Sequence, residues 1–309
     1  MSTPPLATFR PFAEGLHDPG LVAGQCTRLA PGLRRILAPN ASPMTGPGTN
    51  SYILGEGSVA LIDPGPDMVG HLRSLQAALS PGERVEAIIV THAHRDHSGL
   101  AAQAGRTFGA PVMAFGDASA GLRTGRDIGD LGGGEGVDTD FAPDRLLRDE
   151  EWIEGRDWRL QVIHTPGHQG NHICLAWGQA MFSGDHVMGW ASSIVSPPDG
   201  DMGDYMRSLE RVKQAAVMFP GHGPMLTDAT SRVAELAAHR RQREARILQL
   251  LRNGPRDPAT LVAEIYPGLS DGLTRAAMRN VLAHLLDLLD RGMAVPQTAG
   301  VTLGQWESA

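Results

Sequence analysis

The sequence predicts an α/β domain over residues 1–226, then a small helical domain over 227–309 that closes in a two-stranded wing. Three observations carry this. Short apolar runs alternate with helical spacing between Tyr52 and Phe115, as strands joined by crossover helices must. The stretch from Val90 to Leu100, V-T-H-A-H-R-D-H-S-G-L, lies where such a strand ends and a helix begins, the place at which open α/β sheets carry their sites. After Pro224 the spacing becomes helical, with a break at Pro255-Arg256-Asp257-Pro258.

Taken in order, residues 1–20 are Pro/Gly-rich and peripheral, and Val22 to Leu37 alternates as one or two strands turning at Pro31-Gly32. Gly46 to Asn50 is a second turn. Tyr52–Leu54 and Val59–Ile62 flank Gly55-Glu56-Gly57 as a hairpin, and Met68 to Leu79 is an amphipathic helix ending at Pro81-Gly82. Ala87 to Val90 is a buried strand, Ser98 is expected to cap the helix that runs to about Arg106, and Val112 to Phe115 is the next strand. Between Gly121 and Pro143 no period holds. A structureless loop of that length is usually functional or disordered, and it is read as a flap near the site. Strands resume at Trp158–Val162, His172–Trp177 and Ala180–Phe182, followed by a helix over Asp204–Val212 and a strand over Ala215–Phe219.

In the second domain Asp228 caps a helix to about Leu251, and shorter helices follow over Ala259–Tyr266 and Thr274–Leu289. Gly292–Val295 and Val301–Leu303 then make the wing. That order is winged-helix-like. Many such modules read nucleic acid, but here Arg275 and Arg279 stand against Asp287 and Asp290, so a packing or dimerisation role is expected and a homodimer is left open.

Composition bounds the function classes. With 309 residues and a net charge of −7, the chain has room for two domains and exerts no global pull on nucleic acid. No run approaches the ~20 apolar residues of a membrane span, and the N-terminus has no signal-peptide pattern, so a cytoplasmic protein with no membrane partner is expected. Cys26 and Cys174 are the only cysteines, which reads as reduced packing residues and not as a disulfide framework.

His92, His94, Asp96 and His97 place four metal-ligand types within six residues. One loop histidine would be ordinary; three with an aspartate at H-x-H-x-D-H spacing are not. Imidazole and carboxylate suit zinc, manganese or iron. This spacing resembles the signature of the metallo-β-lactamase superfamily of hydrolases, and the resemblance continues in order through T-P-G-H at 165–168, S-G-D-H at 183–186 and P-G-H-G at 220–223. Leu61-Ile62-Asp63-Pro64-Gly65 is similar to the superfamily's first motif.

The resemblance implies an αββα sandwich holding two divalent ions, with zinc expected and manganese or iron compatible with the donors. It assigns His92, His94 and His168 to one ion, Asp96, His97 and His222 to the other, and makes Asp185 the bridge, with Asp96 and Asp185 as the catalytic carboxylates. Two ions about 3.5–4 Å apart can share a hydroxide and clamp both attacking and leaving oxygens. Asp63 is expected behind the ligands, accepting the free ring N–H of a ligand histidine. Asn171 and His172 follow T-P-G-H where a substrate could reach, and His186 adjoins Asp185; neither histidine is included in the ligand set.

A closer resemblance is to the lactamase-beta-like branch, which includes endoribonucleases, through Gly48-Thr49-Asn50, Ser183 to Met188, Asp204-Tyr205-Met206 and His239 to Glu244. It implies a phosphodiesterase on single-stranded RNA; the alternatives are a thioester hydrolase of the glyoxalase II kind and, third, a non-enzymatic nucleic-acid-binding protein. The stretches 189–203 and 121–143 depart from the branch and are expected to rim the pocket. The RNA expectation rests also on Arg232, Arg240, Arg241, Arg243, Arg246, Arg252 and Arg256, which face only Glu235 and Glu244 between Ser231 and Arg256. Arg240 and Glu244 fall in the apolar stripe of their helix and must be paired, with each other or across the domain interface.

Overall fold

A computed structural model describes residues 20–123, 134, 136–300 and 302–309. Most of the peripheral N-terminal segment and the middle of the glycine-rich loop lie outside the described residues.

Seven strands form the first sheet in chain order: β1 (Cys26–Ala30), β2 (Leu33–Leu37), β3 (Asn50–Leu54), β4 (Ser58–Ile62), β5 (Arg84–Ile89), β6 (Val112–Ala114) and β7 (Arg145–Leu146). The first four pair antiparallel and the rest parallel. The parallel section is fed by α1 (Val69–Ala77), then by a single turn α2 (Arg95–Ser98) and α3 (Ala101–Phe108). Ser98 does not cap a helix as its sequence position implied. It ends α2, and its hydroxyl bonds the His94 carbonyl and Asp138 Oδ2, which tethers the metal-ligand loop to the far end of the glycine-rich segment.

The second sheet runs β12-β11-β10-β9-β8, from β8 (Trp152–Glu154), β9 (Arg159–His164), β10 (Ile173–Trp177), β11 (Ala180–Gly184) and β12 (Val217–Pro220). Against it lie α4 (Met202–Val212), capped by Asp201, and α5 (Ala229–Arg252), capped by Asp228. The two sheets face each other across Leu54, Ile62 and Ile89 on one side and Leu160, Val162, Phe182 and Phe219 on the other. Leu61 and Ile88 point outward onto Leu72, Leu75 and Ala104 of the helices, while Met181 and Met218 do the same onto Tyr205, Leu209 and Val233. Both faces of each sheet are thus covered, which is why Val59–Ile62 of β4 and Ala87–Val90 at the end of β5 read as unbroken apolar runs. The layers are αββα.

Helix α5 runs out of the sandwich. Its first half packs on the second sheet, and Ile247, Leu248 and Leu251 join a separate core with α6 (Pro258–Ile265), α7 (Asp271–Asp290) and Trp306. The wing is β13 (Ala294–Pro296) paired antiparallel with β14 (Trp306–Ser308). Its second strand therefore lies five residues beyond the Val301–Leu303 expected from alternation. Trp306 is fully buried and its Nε1–H donates to the Thr302 carbonyl, so burial of one large ring sets the register. Cys26, expected to pack, is exposed; Cys174 is buried. No helix among the described residues is long and apolar enough to cross a membrane.

His284 on α7 is buried with neither ring nitrogen hydrogen-bonded. Burial, with Arg240 nearby, pushes its pKa down to about 3. The unfolded chain therefore binds a proton that the fold refuses: the contribution is intact above pH 6.5 and is lost as pH falls toward 3, at about 1.4 kcal/mol per pH unit. His284→Leu is expected to flatten the acid side of the stability curve, read from urea midpoints at pH 7 and pH 4.5. Equal pH slopes for the two proteins would contradict the assignment.

Candidate metal centre

The strand β5 delivers Thr91 and His92 to the carboxyl edge of the first sheet, and α2 turns Asp96 and His97 back over it. His168 comes from the turn after β9, Asp185 from the end of β11, and His222 from the turn after β12. The seven residues the sequence nominated come together as two groups whose donor atoms lie within 4.8 Å of one another: His92, His94, His168 and Asp185, and Asp96, His97 and His222. Asp185 reaches both, since its carboxylate is 3.3 Å from Nε2 of His97 and of His222, 3.7 Å from His168 and 4.0 Å from His92.

Hydrogen bonds fix which nitrogens are bare. Asp63 accepts from the Thr91 amide and hydroxyl at 2.7 and 2.8 Å and from His97 Nδ1 at 2.9 Å. The Thr91 hydroxyl, having donated to Asp63, accepts from His92 Nδ1. His168 Nδ1 donates to the Ile194 carbonyl at 2.7 Å and His222 Nδ1 to the Gly48 carbonyl at 3.1 Å. Four imidazoles therefore present unprotonated Nε2 atoms inward when neutral. His92 Nε2 and His168 Nε2 lie 2.9 and 3.0 Å from His94 Nδ1, and His97 Nε2 lies 3.3 Å from His222 Nε2. A proton on His94 Nδ1 can serve only one of the two Nε2 atoms beside it, and Asp185 Oδ1 has no hydrogen-bond donor of its own, so the inward donors outnumber the protons that could join them. The residues fit two divalent ions.

The electrostatics of the two groups differ. Burial, aided by neighbouring imidazoles, holds His92 well below its usual pKa and His94 at about 3, so both are ready as neutral donors. Burial pushes the same way on His97 and His222, but Asp96, Asp185 and Asp63 outweigh it at His97, and Asp185 with Asp96 lifts His222 to about 10. Without a metal, then, the second group keeps its charge balance with protons; an ion entering there must displace them. Burial alone would raise Asp96 and Asp185, yet the adjacent imidazoliums hold both carboxylates ionised.

Asn171 and His172 are buried, and their polar atoms are taken up by the protein itself. His172 Nε2 accepts the Asp185 amide at 3.1 Å while its Nδ1 pairs with Thr165, so it holds the backbone of the shared aspartate. Asn171 ties the Ala93 amide to the carbonyls of Gly116 and Asp117. His186 is buried against Tyr205 with both ring nitrogens unpaired.

Gly48-Thr49-Asn50, matched in the sequence without a role, is part of the centre. Thr49 Oγ1 donates to Asp96 Oδ2 at 3.1 Å, and the Asn50 side-chain amide binds the carbonyls of Pro220 and Gly223 on either side of His222. Gly48 is obligatory: its φ is 137°, and a Cβ there would stand 2.1 Å from the Ala38 carbonyl oxygen. These partners are distant in sequence from the ligands they hold, so only the G-T-N pattern itself could have flagged them.

The described ends of the glycine-rich segment are tied to residues 198–204, just before and at the start of α4. The Arg123 amide bonds the Pro198 carbonyl, its guanidinium pairs with Asp204, and the Gly134 amide donates to Asp199.

The family model of the metallo-beta-lactamase superfamily matches residues 44–222, from the G-T-N turn to the last ligand histidine. The chain belongs to that superfamily. A model of the beta-lactamase associated winged helix domain matches residues 258–306. Among superfamily relatives, a beta-lactamase-like protein 2 homolog from Drosophila melanogaster is 32% identical over 86% of this chain and 90% of its own. An atrochrysone carboxyl ACP thioesterase from Aspergillus chevalieri is 27% identical over 89% of this chain and 86% of its own. A metallo-beta-lactamase family protein from Thermus thermophilus superposes with TM-score 0.72 at 25% identity, covering 91% of this chain and all of that one. A beta-lactamase domain protein from Burkholderia ambifaria shares the fold over 97% of this chain and 96% of its own, with TM-score 0.77 at 22% identity. The superfamily is one mostly of hydrolases, and this member retains a His/Asp cluster able to bind metal ions.

Proposed function

We propose that the protein is a dinuclear metal-dependent hydrolase of acyl esters and thioesters. The observation that carries the reading is Asp185, whose one carboxylate touches the inward nitrogens of both ligand groups. When bound, two divalent ions supply Lewis acidity and bring the pKa of water toward ~7. The chain's own part is to hold donors unprotonated and in place. Asp96 is the ligand carboxylate most open to solvent and stays ionised, so it serves as an acceptor facing the substrate side.

The acyl reading is supported by the mouth of the site. Trp190 is 43% exposed, and its ring lies against Gly223, next to His222, and against Gly46, on the same turn as the exposed Met44. The exposed thioether of Met44 suits an acyl chain, whereas base stacking would call on the ring alone. The Aspergillus chevalieri relative, named as a thioesterase acting on an acyl carrier protein, points the same way.

Single-stranded RNA, favoured by the seven arginines between Ser231 and Arg256, loses part of that support. Six of the seven contact the chain itself: Arg232 the Met188 and Ala191 carbonyls, Arg240 Ser193 and Asn280, Arg241 Glu210, Arg243 the Tyr266 ring, Arg246 Gln249 and Arg256 Glu264. Thiol release from S-lactoylglutathione and from acyl-pantetheine thioesters should be measured beside cleavage of end-labelled single-stranded RNA. Chelator-sensitive, zinc-restored thiol release is expected, unchanged when Arg241 and Arg246 are both replaced by glutamate. Salt-sensitive RNA cleavage without thiol release, weakened by that double replacement, would return the assignment to RNA.

A further inference from the structure

Among the described residues, α5 and α7 reach the metal centre through the tripeptide Ser193-Ile194-Val195. Its residues bond to the ligand residues on one side and to α5 and α7 on the other. The Ser193 hydroxyl donates to the backbone carbonyls of Asp185 and His186, the latter at 3.0 Å. The Ile194 carbonyl accepts from His168 Nδ1 at 2.7 Å. The Val195 amide donates to Asn280 Oδ1 of α7 at 3.2 Å. Arg240 of α5 closes the arrangement, with one guanidinium nitrogen on the Ser193 carbonyl and the other on Asn280 Oδ1 at 3.0 Å.

Arg240 is 2% exposed and stacks near the Tyr205 ring. A buried guanidinium without a facing carboxylate is costly, and such a group persists where its hydrogen bonds fix a geometry. Glu244, one turn on, does not meet Arg240; it pairs with Arg291 just past the end of α7. Arg240 is thus committed to two acceptors, a loop carbonyl and an amide oxygen, that belong to different domains.

We propose that Arg240 and Asn280 are positioning residues for the metal centre, acting through Ser193, Ile194 and Val195 on His168 and Asp185, so that the winged-helix domain is a working part of the site. The Ile194 carbonyl selects the His168 tautomer whose Nε2 faces inward, and the clamp determines where that carbonyl stands. Asn280 suits the task because Oδ1 takes both the Val195 amide and Arg240 while Nδ2 is spent on the Ala276 carbonyl of its own helix. The inference rests on the metal-binding reading of the seven ligands.

The test is zinc affinity by chelator competition, with the visible spectrum of the cobalt-substituted protein as a second readout. Asn280→Leu removes the acceptor and is expected to weaken one of the two zinc sites by about 10–100-fold and to shift the cobalt spectrum. Asn280→Asp keeps the acceptor and should restore affinity to near the starting value. Wild-type protein supplies an independent reading: zinc loading should slow amide exchange at residues 193–195 and in α7 around Asn280, because coupling between metal and clamp is reciprocal. A folded Asn280→Leu protein with unchanged affinity and spectrum, or zinc loading that leaves exchange in α7 unchanged, overturns the proposal. Wild-type protein that binds no zinc at all would instead overturn the reading of the ligands.

Discussion

Asp185→Asn is expected to lower kcat for hydrolysis by on the order of 10³-fold and to leave at most one tightly held divalent ion per chain. The reason is charge. Of the seven inward donors, five are imidazoles that bind metal as neutral groups, and only Asp96 and Asp185 carry negative charge. Removing one of the two halves the charge that balances two dications. Asparagine preserves volume and the bonds to the Asp185 backbone from His172 and Ser193, so the loss falls on the carboxylate alone. Elemental analysis and steady-state kinetics on the same preparation decide it. Two ions retained with near-normal kcat would show that Asp185 does not bridge.

Such a variant also changes the metal-free protein. The Asp185 carboxylate helps to keep His97 and His222 protonated, so asparagine should lower both pKa values and let zinc into the second group with less proton release. Weaker binding despite easier deprotonation would be the mark of a lost ligand and not of a shifted titration.

The ligand loop was legible because its information is local. His92, His94, Asp96 and His97 lie within one strand end and one turn of α2, where spacing in sequence is nearly spacing in space. The β3–β4 hairpin and the crossover helices were legible for the same reason, through apolar periodicity and glycine turns. What sequence could not show is the set of partners that arrive from elsewhere. Thr49 on Asp96, His172 on the Asp185 amide and Asn280 on Val195 are joined across 47, 13 and 85 residues, with no periodic pattern to mark them.

The misreadings have specific causes. Ser98 looked like a cap because serine precedes an apolar run, but the chain makes an extra turn there to present Asp96 and His97, and α3 starts only at Ala101. The arginine count between Ser231 and Arg256 overstates the basic face because sequence does not show where each fork ends: Arg232 and Arg240 turn inward onto carbonyls of the 188–193 loop, while Arg241, Arg246 and Arg252 stay exposed. The two-residue β7 and three-residue β8 carry too little alternation to be read at all.

Gly221→Ala is expected to reduce metal affinity by more than about 100-fold while costing about 1–3 kcal/mol of fold stability. The glycine of the last motif is not there for a left-handed turn, since its φ is not positive. It is there because the centre is built against its α-carbon: an added Cβ would lie 2.4 Å from Asp185 Oδ1 and 2.5 Å from His97 Cε1. The backbone cannot retreat, because the Gly221 amide donates to the Gly184 carbonyl at 2.8 Å and its own carbonyl accepts from Asn50 at 2.7 Å. The neighbours cannot yield either. His97 is held by Asp63, and Asp185 by His172 and Ser193. The methyl must therefore push apart two donors of different ligand groups, and the damage to the site should far exceed the damage to the fold. Gly70→Ala in α1, where a Cβ meets nothing within 4 Å, is the matched control and should keep full metal affinity with a stability gain of about 0.5–1 kcal/mol. Zinc affinity and thermal unfolding measured on both variants decide the matter, and wild-type affinity in Gly221→Ala would mean that the two carboxylate-bearing halves of the centre do not close on this glycine as the geometry requires.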